Sequence, residues 1–349
     1  MSDDVKKISF QLDVSDFLPA EQEEKQNLVV MRMSIGFWRN GFNRLKKNKI
    51  AMISLFVIIL TLIFAFIAPS FYPYSYEQQI RGSENLAPMQ YSEQELAAKA
   101  AGEKVFPHFV GTDALGRDTT IRLMLGSRIS LLVGIVASVL VLLIGSTYGA
   151  ISGYFGGKVD IIMMQIVDVI YSIPDILIII ILMVSLKYPL QNLANTVPGF
   201  QWINTIGVGL ICIFIVFSLL YWVGMARIVR SQILSLKEQE YVTAAKALGA
   251  SNSRIIGKHL LTNVIGTLIV TTTLQIPSAI FTESFLSFIG IGVSAPMPSL
   301  GSMASTAIGG LTSYPYRLFA PAIMISIIIL SFNLLGDGLR DAFDPKLKN

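Results

Sequence analysis

The sequence predicts an all-α polytopic membrane protein with six transmembrane helices, on three observations. Apolar residues make up 53% of the chain and charged residues only 14%, with a mean hydropathy of +0.61. Ordinary water-soluble domains do not show that balance. The apolar residues fall into charge-poor runs near or above the roughly 20 residues that cross a bilayer as a helix. Finally, Lys and Arg are distributed unevenly among the segments between those runs, which gives the spans a direction.

Residues 1–49 are polar and lack an early apolar stretch, so no cleavable signal peptide is expected. Asp13, Asp16, Glu21, Glu23 and Glu24 form an acidic tail, and Arg39, Arg44, Lys46, Lys47 and Lys49 a basic collar. The first span, 50–69, begins directly after the collar, which places this end in the cytoplasm. A polar extracytoplasmic loop, 70–128, follows, with a short helix expected at 93–104. Residues 129–335 supply the other five spans, expected at 129–154, 161–186, 203–224, 261–290 and 318–335. Residues 336–349 close the chain as a cytoplasmic tail. In this topology 19 of the 27 Lys and Arg lie on the cytoplasmic side, as the positive-inside rule requires. The segment 240–263 between the fourth and fifth spans lies on that side too.

Composition excludes several chemistries. The single Cys212 rules out an internal disulfide or a cysteine metal site, and His108 and His259 are the only histidines. No phosphate-binding G-x-x-x-x-G-K-[ST] string occurs, so this chain binds no ATP through one. No metal or other cofactor is expected on it. A net charge of +4 is modest, and a nucleic-acid partner is not expected.

The segment 240–263 is polar enough for water yet flanked by apolar runs. Tyr241, Ala244, Ala245 and Leu248 recur at helical spacing, and Gly249 stands where a helix ends. Thr243 shares this helix, and Ala250 and Ser251 complete the turn. Ser251 is a candidate cap for a second helix carrying Ile255, Ile256, His259 and Leu260. The small, Ala-rich face suits close docking of a partner. The competing readings are a partnerless amphipathic surface loop and a DNA-reading helix-turn-helix, the latter disfavoured by membrane spans on both sides.

Polar groups inside spans are functional candidates by default. In the third run, Asp168, Tyr171, Ser172 and Asp175 form a stripe interrupted by Pro174. In the fifth, Thr271, Gln275, Ser278 and Thr282 form another, with Glu283 beside its outer end. Either stripe lines a path for a polar solute or bonds helices together. The acidic pair favours structural pairing, including pairing with a neighbouring subunit's arginine, and the uncharged stripe favours a path. Asp168 and Glu283 together also fit a proton relay in an ion-coupled secondary carrier, a rival mechanism. An intramembrane peptidase lacks a Ser-His or cross-helix Asp pair. In the outer loop, Gly111, Asp113, Gly116, Arg117 and Asp118 read as a tight turn held by side chains.

Several strings, taken in order, resemble the C-type membrane subunit of oligopeptide and dipeptide ABC importers. They are FWRNGFNRLKKNKIA (37–51), HFVGTDALGRD (108–118), DVIYSIPDIL (168–177), ESFLSFIGIGVSAPMPSLG (283–301) and NLLGDGLRDAFDP (333–345). Thr243-Ala244-Ala245 followed by Gly249 resembles the EAA loop of such permeases, with Thr243 where the family has Glu. The resemblance implies a type I importer permease in the bacterial cytoplasmic membrane. It also implies a second homologous permease subunit, two subunits that bind ATP and Mg, an extracytoplasmic peptide-binding protein, and a peptide as cargo. The helices of 240–263 would then be the ATPase-coupling element. The same machine carrying nickel or another small solute is the nearest alternative.

Overall fold

The computed structural model describes residues 36–293 and 297–343. The acidic tail at 13–24, residues 294–296 and the last six residues lie outside this set. The chain divides into two units, Met1–Asn40 and Gly41–Asn349. In the first, the described residues open helix α1 (Phe37–Lys47), with Asn40 N donating to Gly36 O at 3.0 Å. Everything below concerns the second unit.

Among the described residues six helices are long and apolar enough to cross a membrane. The first begins with α2 (Lys49–Leu62), where the Asn48 side chain accepts from Ala51 N at 3.2 Å, and runs on to Phe71. In the outer loop, α3 (Glu93–Ala100) is closed by a capping box: Ser92 and Glu95 each accept the other's backbone N–H. The second span is α4 (Thr119–Phe155), 37 residues long. At 1.5 Å per residue it measures about 55 Å, well beyond a hydrocarbon core of about 30 Å. It therefore carries structure past the membrane.

The expected third span is two helices rather than one. Helix α5 (Gly157–Tyr171) stops, and α6 (Asp175–Thr196) starts after Pro174, whose ψ of 121° is not helical. Proline has no N–H to donate and disfavours helical geometry in the residue before it. The run Asp168–Asp175 is therefore not one continuous stripe.

The fourth span is longer than expected, covering α7 (Val208–Leu220) and α8 (Trp222–Leu236). Arg227 and Arg230, expected in a loop, stand on α8 because each finds an acid on α5. Arg227 pairs with Asp168 at 2.6 Å, and Arg230 makes a two-point pair with Asp160. Helix α9 (Glu240–Ala247) follows, and then α10 (Leu261–Phe288), which continues through Pro277. Helices α11 (Leu300–Ala307) and α12 (Tyr316–Phe343) complete the unit. The expected tail from 336 is helical to Phe343, because Ala342 and Phe343 are buried against Leu45 and Ala51.

Lipid is as apolar as leucine, so helices in a membrane gain mainly from close van der Waals packing. Helix α4 achieves this through Gly145, Gly149 and Gly153, spaced one turn apart along its contact with α8. A Cβ on Gly149 would collide with the backbone carbonyl of Ala226, while Gly145 faces Trp222 and Met225 and Gly153 faces Arg230 and Ile233. Gly149→Leu is expected to push α4 and α8 apart, at a cost on the order of 1–3 kcal/mol. Thermal unfolding in detergent checks this: the midpoint should fall for Gly149→Leu and hold for Gly309→Ala, where nothing lies within 4 Å of the added methyl.

Candidate functional site

The chain builds three polar features along its bundle: an exposed helix at one end, clefts between the spans, and a bonded loop at the opposite end. Helix α9 belongs to the first. Val242 is fully buried and anchors it in a cluster with Ile233, Ile255, Leu260 and Tyr154. Its C-terminus closes as a Schellman motif: Gly249 N donates to Lys246 O at 2.9 Å and Ala250 N to Ala245 O at 3.0 Å. Gly249 takes a φ of 80°, which a side-chain-bearing residue adopts only with strain.

This turn aims Leu248 outward, leaving it 88% exposed. Tyr241, Thr243, Ala244 and Gly249 are exposed beside it. Ala245 and Ala250 are not part of the open face. Both are half-buried against the chain's own cluster, because the anchor Val242 turns that side of the helix inward.

The second short helix expected after Ser251 is not separate. Ser251 Oγ accepts from Arg254 N at 3.4 Å, and Asn252–Arg254 runs through a π-helical turn, Ile255–Leu260, directly into α10. Tyr154 at the foot of α4 donates to Asn252 Oδ1 at 2.8 Å. The exposed helix is thus tied to both α4 and the fifth span.

The uncharged stripe on α10 opens onto two clefts. Thr271 and Gln275 line one of about 510 Å³, together with Gln232 and Arg340. Gln275, Ser278 and Thr282 line the other, about 400 Å³, with Tyr171, Asp175 and Tyr221. Gln275 borders both. In the wall of the second, the Tyr221 and Thr282 hydroxyls bond at 2.6 Å.

The acids separate. Asp168 is held by Arg227, whose guanidinium also lies 4.2 Å from the centre of the Tyr171 ring. Glu283 does not line either cleft. It is fully buried, with Ser130 on α4 and Ser287 on α10 each donating to it at 2.7 Å. A carboxyl group so enclosed joins helices and stays out of a solute's way. Asp168 and Glu283 share no contact that would make them a relay.

The loop feature centres on His108, a residue the sequence did not single out as a site. Its Nδ1 lies 2.6 Å from Asp118 Oδ2 and its Nε2 2.9 Å from Glu95 Oε1. With an acceptor at each nitrogen, the ring satisfies both only when protonated. Burial alone would lower its pKa, but the bonds to Asp118 and Glu95 outweigh that and raise it. Glu95 is likewise pushed up by burial, yet ends below the usual range because Ser92 and His108 stabilise its charge.

Asp118 also caps α4, its Oδ1 accepting from Ile121 N at 2.9 Å, and Tyr74 stacks on the His108 ring at 4.6 Å. The expected tight turn is present. Asp113 Oδ1 accepts from Leu115 N at 2.8 Å and Arg117 N at 3.1 Å, and its other oxygen meets Arg117 Nη2 at 2.7 Å. Gly111 and Gly116 take φ of 79° and 69°. At Gly111 the space for a Cβ is filled by Leu86 O.

Comparison with known proteins follows this geometry. Residues 145–349 match the family described as binding-protein-dependent transport system inner membrane component. Residues 36–88 match the N-terminal transmembrane domain of oligopeptide transport permease C. The chain is 42% identical over 332 residues to the oligopeptide transport system permease protein OppC of Bacillus subtilis, covering 95% of this chain and 97% of that one. Over 333 residues it is 41% identical to the dipeptide transport system permease protein DppC of the same organism, covering 95% and 93%. A solved chain of the MetNI methionine ABC transporter, in inward-facing conformations, overlaps 63% of this chain and 96% of its own length, with a TM-score of 0.49 and 18% identity. The chain is a multi-pass membrane permease and belongs to the binding-protein-dependent ABC transport permeases, with the N-terminal domain of the oligopeptide permease C type.

The His108 cluster makes the loop pH-sensitive in a definite direction. Because folding raises the His108 pKa, its stabilisation is complete below 6.5, its ordinary value, and is lost as pH rises through the raised one. Glu95, lowered by folding, contributes above 4.5 and loses that contribution as pH falls through its depressed value. Amide hydrogen exchange at 108–121, corrected for intrinsic rates, should show protection falling roughly tenfold as His108 deprotonates. His108→Gln should be less protected below that transition and flat across it.

Proposed function

We propose that this permease is the membrane subunit of an ATP-driven importer of oligopeptides or dipeptides, forming half of the translocation path with a second homologous permease. The observation that carries the coupling is α9: a short helix, anchored by Val242, that holds an 88% exposed Leu248 at the foot of the bundle. Leu248, with Tyr241 and Ala244 exposed beside it, offers a partner a small apolar face on a rigid helix. Two ATP-binding subunits, carrying ATP and Mg, dock from the cytoplasm, one of them on this helix. An extracytoplasmic binding protein delivers the peptide at the opposite end, near the Asp113–Asp118 loop. This chain performs no catalysis itself.

The mechanism follows from stiffness. Closure of the ATPases moves α9, and α9 does not absorb that movement, because Val242 is packed beneath it and the turn after Gly249 runs straight into the fifth span. Displacement therefore reaches Thr271, Gln275, Ser278 and Thr282 on α10 as a rigid-body shift of the cleft walls. Those walls are mostly uncharged, so peptides of varied side chains find hydrogen-bonding partners without selection by charge. The cytoplasmic placement of both termini and residence in the bacterial cytoplasmic membrane accord with the Lys and Arg bias. Relatives named for oligopeptide and for dipeptide transport support the choice of cargo.

Uptake of a labelled tetrapeptide by cells with and without this chain tests the cargo, with nickel uptake run alongside. Peptide uptake should require the chain and ATP and survive a proton ionophore; loss of nickel uptake alone would replace the cargo. Coupling is tested at the helix. Leu248→Asp should weaken ATPase co-purification roughly thirtyfold, the scale of one interface hot spot, with normal membrane insertion. Gly249→Trp should abolish uptake: nothing of this chain lies within 4 Å of the added side chain's origin, so it projects into the partner's space, and Gly249→Ala, which carries the strain of φ 80° without the bulk, should keep more of the uptake. Normal uptake by Gly249→Trp would sink the docking assignment.

A further inference from the structure

Three acids line the α5–α6 region, and the structure treats them differently. Asp160 is bonded by Arg230 and Ser152, and Asp168 by Arg227. Asp175 has no such partner: among the described residues none donates a hydrogen bond to it or forms an ion pair with it. It is exposed, and it faces the 400 Å³ cleft, of whose lining residues it is the single charged one. Its place as the first residue of α6 gives its charge a favourable helix end. That accounts for tolerance of a carboxyl group there, but not for its opening into a cleft.

The position of the cleft adds to this. Asp175 is the first residue of the third candidate span, and Gln275, Ser278 and Thr282 lie within the fifth, Asn252–Phe288, so the cleft opens between the two spans where the third begins. A carboxyl group turned into a cleft between spans is costly unless water or a cation meets it. A metal ion is a poor match, since no group of three or more His, Cys, Asp or Glu among the described residues is arranged to hold one. What surrounds Asp175 instead is an amide and hydroxyls: Gln275, Ser278, Tyr221 and Thr282. These donate and accept, as a peptide backbone requires. Ile178 and Phe281 supply apolar wall for side chains of any kind.

Every linear peptide with a free amino terminus carries one α-ammonium group, whatever its sequence. We propose that Asp175 receives the α-ammonium of the transported peptide, with Gln275 and Ser278 meeting the first backbone amides. This rests on the peptide reading above and adds a specificity-determining residue to it. The carboxyl group fixes the peptide amino end where the third span begins and favours cargo with a free amino terminus, while leaving side-chain choice open.

The test uses the complete transporter with its binding protein and ATPases, reconstituted in vesicles, with saturating trialanine and a lysine-containing tripeptide as probes. No uptake of either by the unaltered complex would retire the cargo reading itself. With that complex active, Asp175→Asn should slow saturated uptake of both peptides about tenfold, the scale of one lost charge-assisted hydrogen bond. Asp175→Glu should keep most of the rate. Unchanged uptake by Asp175→Asn overturns the proposal. Loss confined to the lysine peptide also overturns it, by assigning the carboxyl group to side-chain cations. Failure of Asp175→Asn to co-purify with the second permease subunit overturns it in favour of a structural pair between subunits.

Discussion

The close approach of α4 and α8 is the contact on which the rest of this permease depends. Gly149 lets the backbone of Ala226 come against it, and Gly145 and Gly153 extend that approach one turn in each direction. Helix α8 leads directly to α9, so the height and angle of the exposed helix follow from where α8 rests on α4. The same approach brings the foot of α4 to Asn252 through Tyr154. It also sets Ser152 beside the Asp160–Arg230 pair. Without small residues at these positions, α4 would stand off by the width of a side chain and these polar contacts would not close.

The polar groups fall into two sets with different physical duties. Glu283, Asp160 and Asp168 are satisfied within the chain, by serine hydroxyls or guanidinium groups. Glu283 lies inside a candidate span, where an unmet ionisable side chain is expensive, while Asp160 and Asp168 tie α5 to α8. The uncharged groups on α10 are instead turned toward clefts, where water or a solute replaces a protein partner. Asp175 combines the chemistry of the first set with the position of the second. At the far end, His108 belongs to the first set, locking the loop over the start of α4 through Asp118, which also caps that helix.

Much of the fold was legible in the sequence because the membrane imposes strong rules. All six expected runs are helical, the third and fourth divided among more than one helix, and the capping residues Asn48, Ser92 and Asp118 stand where polar chains enter helices. Gly249 was readable as a helix terminator because only a residue free of Cβ adopts its φ of 80° without strain. Helix ends were less legible. Arg227 and Arg230 argue against a span until Asp168 and Asp160 appear opposite them, and nothing in the order of residues pairs positions some 60 to 70 apart. The Gly-x-x-x-Gly-x-x-x-Gly spacing at 145–153 was a readable signal of close helix packing that hydropathy alone passes over.

Sequence by itself determined that this chain crosses a membrane six times, which end carries its positive charge, and that a short Ala- and Gly-bearing helix stands between the fourth and fifth spans. Those properties depend on local composition and on hydrogen bonds to near neighbours, so linear order suffices. Only the tertiary structure decided which polar residues face a cleft and which face each other. Asp168, Asp175 and Glu283 look alike in sequence, each an acid inside an apolar run. One meets an arginine, one a cleft and one a set of serines, because burial and pairing are set by which helix lies alongside. Proline at 174 contributed to that outcome by breaking the third run and turning Asp175 onto a helix of its own.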